Sequence, residues 1–129
     1  MPKKTETTKK DFALFCLEIK RIQNLLGLRE WRIDLFHQDA DDCNDVMSRA
    51  WFMSKEQFIC AIGLAVNWGG DIVTKQRIKE AAFHEMGHIL LADFVRYAGL
   101  RFIPAGLIEE EEHRVIRRLE AALTGESGL

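Results

Sequence analysis

No apolar run in this chain approaches the roughly 20 consecutive residues needed to cross a bilayer, so membrane insertion is not expected. The lysine-bearing start, Met1 to Lys10, lacks the apolar stretch that follows in a secretory signal. A cytoplasmic protein is the resulting expectation. A basic surplus is missing too: 18 Lys and Arg stand against 20 Asp and Glu, a net charge of -2, which argues against nucleic acid as a partner. The cysteines, Cys16, Cys43 and Cys60, form no C-x-x-C pair, so neither a zinc ribbon nor a dithiol redox motif is available. They are expected as free thiols, mostly in the core. There is no internal repeat and no low-complexity stretch beyond the first ten residues.

What remains is an ordinary globular composition on 129 residues, enough for one hydrophobic core. Residues 1–10 are expected to be a poorly ordered tail, and residues 11–129 a single domain. Asp11 is a plausible N-cap for a helix in which Phe12, Phe15, Ile19, Ile22 and Leu26 recur at helical spacing, until Gly27 stops it. Trp31, Ile33 and Leu35 then alternate with Arg32 and Asp34, the period of a half-buried strand. The acidic run Asp39 to Asp45 reads as a solvated turn, because it lacks the glycine and distant glutamate of a calcium loop. A second strand is expected over Val46 to Met53 and a third over Phe58 to Val66. The third is large on one face and small on the other (Ala61, Gly63, Ala65), so a helix or ligand should approach the small face closely. A long helical segment covers Thr74 to Tyr97, a break with Pro104 follows, and a last helix covers Leu107 to Leu123. The fold class expected is α+β: a small three-stranded sheet packed with an N-terminal helix, a central helix and a C-terminal helix.

His84, Glu85, Met86, Gly87 and His88 make an H-E-x-x-H match within the longest helix. Residues four apart on a helix share a face, so both imidazoles can grip one ion, and zinc accepts neutral imidazole nitrogen. Glu85, one position along, can reach a water held there and act as general base. The neighbours Ala81, Ala82, Phe83, Ile89, Leu90, Leu91 and Phe94 make the helix apolar on nearly every side, which predicts an interior position. Three titratable groups buried without partners would be costly, and a shared metal removes that cost. Unrelated histidines in a chance match are the plain alternative.

A catalytic zinc needs a third protein ligand and an open position. The metzincin continuation is absent, since Leu91 and Phe94 stand where glycine and histidine would be required. The last helix offers Glu109, Glu110, Glu111, Glu112 and His113. The stripe Ile108, Glu112, Val115, Leu119 and Ala122 puts Glu112 on the buried face, which makes it the expected third ligand with Glu109 in reserve. Acidic residues simply favouring a helix N-terminus would explain most of the run. His113 could orient substrate or stabilise an oxyanion, or be a surface histidine.

The motif, followed by an acidic helix and preceded by a short three-stranded sheet, resembles the minimal gluzincin-like zinc metallopeptidases. These include the ImmA/IrrE and SprT-like families and small peptidases carried by phages. The resemblance implies a zincin-like fold, His84 and His88 as metal ligands, Glu85 as the residue that activates water, and a third ligand on the following helix, where Glu112 stands. It spans Trp31 to Leu123 as an order of elements, and at residue level only the motif and the acidic helix. The SprT-like zinc ribbon and any DNA-binding appendage are absent, so no biological role transfers. The expected activity is hydrolysis of a peptide or protein substrate, with an extended peptide pairing to an exposed sheet edge; the third strand is the candidate edge. The rivals are a non-catalytic zinc protein, a deformylase-like hydrolase, for which neither Cys43 nor Cys60 has the right context, and an interaction module that has lost its metal.

Overall fold

The structure, a computed structural model, describes residues 4–39 and 47–124. The chain before the first helix is not a loose tail from Lys4 onward. The Thr7 amide donates to the Val66 carbonyl, Trp68 to Thr5 and Val73 to Lys4, and Glu6 bridges antiparallel to Asn67. Residues 1–3 lie outside the described residues.

Helix α1 runs Lys9–Leu25, beginning before the expected cap. Thr8 is the N-cap, and it exchanges hydrogen bonds with Asp11 in a capping box. Asp11 therefore serves as the third helical residue of the box. Phe15, Ile19, Ile22 and Leu26 are buried as the periodicity requires, and Gly27 turns the chain with φ +66, a conformation that costs a residue without Cβ little.

Three strands follow: β1 Arg32–Gln38, β2 Ser48–Ser54 and β3 Ile59–Ala65. Their order is β1-β3-β2, with β1 parallel and β2 antiparallel to β3. The third strand is thus the centre of the sheet, hydrogen-bonded on both sides, and cannot be the exposed edge that sequence favoured. What covers its small face is also resolved. Phe36 is registered with Gly63 and Trp51 with Ala61, and these two aromatic rings lean over the central strand to stack at 6.1 Å. The neighbouring strands fill the space left by the small residues.

The opposite face packs on the helices. Helix α2 runs Lys75–Leu90 from its N-cap Thr74, and α3 Ala92–Ala98 follows across Leu91, so the expected continuous helix is divided in two. Helix α4 spans Ala105–Thr124. Phe15, Ile19 and Ile22 of α1, Ile62 and Leu64 of β3, and Ile78, Ala82 and Met86 of α2 form the centre of the core. Full burial of each large apolar side chain contributes about 1.5–3 kcal/mol. The result is an α+β fold, a three-stranded mixed sheet with four helices among the described residues. None of these helices is long and apolar enough to cross a membrane.

Candidate metal centre

Helix α2 is not buried all round. Ile78, Ala82, Glu85, Met86 and Ile89 face the core, while His84, His88 and Phe83 face outward, Phe83 at 60% exposure. The expected interior helix is therefore an amphipathic one, whose outward face carries Lys75, Gln76, Arg77, Lys79 and Glu80 besides the two histidines and Phe83. Of the three motif groups only Glu85 is buried, at 3% exposure.

The two imidazoles converge. Their ring centroids lie 4.9 Å apart with planes at 84°, and ligand atoms from His84, Glu85 and His88 all fall within 4.8 Å of one another. Two nitrogens on one tetrahedral zinc stand about 3.3 Å apart, given bonds of about 2.05 Å, so a small side-chain rotation suffices to bring them together. Neither imidazole has a hydrogen-bond partner among the described residues, which leaves the ring nitrogens available. The donor set thus fits a zinc ion.

These groups line a cleft of about 550 Å³ between α2 and β2, walled by Ser48, Arg49 and Ala50 on one side and by Arg77, Glu80 and Ala81 on the other. Among the described residues strand β2 pairs with β3 along one side only, so its other edge borders the cleft. From this strand the Ser48 hydroxyl donates to Glu85 Oε2 at 2.5 Å. Sequence reasoning missed Ser48, since nothing in a strand's alternation tells which helix its inward serine will meet. It also passed over Glu80, although its place one turn before His84 on α2 was available from spacing alone.

The acidic helix departs from expectation. Glu112, the expected third ligand, is exposed, and it neither joins the histidine cluster nor lines the cleft. Glu111 is the buried one, at 5% exposure. It accepts two hydrogen bonds of 2.9 Å from Arg114 Nε and another from Arg114 Nη2. Its carboxylate, together with the charges of Glu111, Asp93 and Glu30 and against the opposing effect of burial, leaves the guanidinium more firmly protonated than usual. Arg114 also donates to the Leu90 carbonyl at the end of α2, so the pair ties α4 to the metal-motif helix. The signal that could have found Glu111 is Arg114 three residues on, the spacing of a helical ion pair. Glu109, the reserve, is exposed and lies 3.9 Å from His113, which is exposed as well.

Neither described cysteine lines the cleft. Cys60 is fully buried on β3, and burial together with the nearby Asp34 charge pushes its thiol up to about 12. Cys16 is free and half-buried, and Cys43, like most of the acidic run, lies outside the described residues. No protein-family model, curated protein or solved structure matches this chain.

Proposed function

We propose that this protein is a zinc-dependent metallopeptidase whose metal is held by His84 and His88 and whose general base is Glu85. The observation carrying the reading is the convergence of two unpartnered imidazoles and one buried carboxylate on a cleft beside a free strand edge. Zinc bound there would supply a Lewis acid that brings the pKa of a water it holds to about 7 and polarises a carbonyl. Glu85 takes the proton from the attacking water and passes it to the leaving amine. The Ser48 hydroxyl fixes the direction of that carboxylate. An extended peptide pairs with the free edge of β2, in place of the third strand, and its backbone lies along the cleft. Among the described residues no further His, Cys, Asp or Glu joins the two histidines and Glu85, so Glu112 is not retained as the third ligand.

One observation favours a second reading. The Glu85 carboxylate lies within 4.8 Å of both imidazole donors and could be a ligand itself, which would leave a structural zinc site and no base. The variant Glu85→Gln separates the two readings. If Glu85 is the base, the variant retains zinc, measured by competition with a chromophoric chelator, and loses cleavage of a mixed peptide library that the wild type cuts. Loss of zinc together with a wild type that cuts nothing establishes the structural site. Undiminished hydrolysis by the variant overturns the peptidase mechanism, and failure of His84→Ala and His88→Ala to reduce zinc uptake overturns the site.

A further inference from the structure

We propose that a second recess, between the C-terminal end of α1 and the face of α4, is an anion site that takes a phosphate group carried on a larger molecule. Its volume is about 510 Å³, and Arg29, Arg114, Arg117 and Arg118 line it together with Asn24 and the α1 terminus. None of its lining residues is shared with the histidine cleft.

The four guanidinium groups are not equally committed. Arg114 is engaged by Glu111 and the Leu90 carbonyl. Arg118 donates from Nη1 to the Leu26 and Gly27 carbonyls at the end of α1 and from Nη2 to Glu30 at 3.5 Å. Its Nε is buried with no acceptor, and a buried donor left unmatched is a cost the folded chain ordinarily avoids. Arg29 and Arg117 are exposed and have no hydrogen-bond or ion-pair partner among the described residues. Among the described residues no carboxylate lines the recess. The two acids bound to these arginines, Glu111 and Glu30, offset two of four positive charges.

Uncommitted guanidinium groups from Arg29 and Arg117 therefore border one recess, in which Arg114 and Arg118 are already held by the chain's own carbonyls and acids. A carboxylate carries a single negative charge over two acceptor oxygens. A phosphate monoester is a dianion near neutral pH with three free oxygens, and several forks can engage it at once. The recess is larger than a bare phosphate needs, and Asn24 gives an amide donor and acceptor at its edge for the carrier.

The test is calorimetric titration of the full-length chain with sodium phosphate against sodium chloride at matched ionic strength. Saturable binding is expected with phosphate only, weakened about tenfold or more by Arg29→Ala or Arg117→Ala, since each removes charge-assisted hydrogen bonds. Both positions are exposed, so circular dichroism should show an unchanged fold. A response that never saturates, equal heats in chloride, or wild-type affinity in the Arg29→Ala/Arg117→Ala double variant overturns the proposal. Glycerol 3-phosphate and a short phosphoserine peptide then distinguish a phosphorylated small molecule from a phosphorylated side chain. Whichever ester binds more tightly than the inorganic ion identifies the carrier, and an inorganic ion that outbinds both overturns the claim of a carried group.

Discussion

Removing the Ser48 hydroxyl is the most direct probe of the cleft. In Ser48→Ala the Glu85 carboxylate, 3% exposed, loses the 2.5 Å hydrogen bond that holds Oε2. A hydrogen bond to a charged group contributes about 1.5–3 kcal/mol. The adjoining cleft admits water that can partly replace it, so the expected loss lies at the lower end, about 1.5 kcal/mol. At roughly 3–5 °C per kcal/mol for a chain of this length, the Tm should fall by roughly 5–7 °C. Urea denaturation gives the free energy, with Ser48→Thr as the control that keeps the hydroxyl. Glu85→Gln retains an acceptor oxygen for Ser48 and should cost less than Ser48→Ala, and the double variant should show the two positions to be coupled. A Ser48→Ala protein whose stability stays within about 0.5 kcal/mol of wild type, the scatter of an ordinary surface change, would refute the contact and its role in aiming Glu85.

Two further outcomes follow from the same structure. Arg114→Met leaves Glu111 buried without its partner and the Leu90 carbonyl without a donor; breaking a buried pair costs about 3–5 kcal/mol, and because the guanidinium is 26% exposed a loss of about 3 kcal/mol is expected by urea denaturation. His37 stacks on Phe12 and hydrogen-bonds Thr7, and burial, opposed by the Asp11 charge, holds its pKa below the ordinary histidine value of 6.5. The folded state then binds the proton less readily than the unfolded chain, so the contribution of His37 is present above that value and is lost as pH falls through its lowered pKa. His37→Gln should flatten the fall in stability across that acidic window in paired urea titrations; an unchanged slope would contradict this assignment.

Much of this architecture was legible in the residues, and the failures have physical causes. Alternation marked the first strand, because its two faces meet different media, and all three strands were placed to within a few residues. Strand order was not legible, since pairing partners depend on where the connections travel, and β3 was placed at the edge when it lies at the centre. At the metal motif, helical spacing sufficed to bring His84 and His88 together, whereas Phe83 and its apolar neighbours wrongly suggested a helix enclosed on every side. In the run Glu109 to Glu112 identical side chains carry no phase information. The stripe through Val115 and Leu119 passes between Glu111 and Glu112, and it is Glu111 that is buried, paired with the Arg114 that reaches the Leu90 carbonyl.

The strand order also bears on synthesis. A ribosome delivers β1 and β2 before β3, yet those first two strands share no backbone pairing in the finished sheet. A nascent chain arrested short of Ile59 thus holds two orphan ribbons, and every inter-strand ladder awaits the segment that comes last. Stalled or truncated products of that length should be captured by chaperones and readily digested by proteases, and resistance should arise only once α2, whose Ile78, Ala82 and Met86 complete the core, has also cleared the exit tunnel.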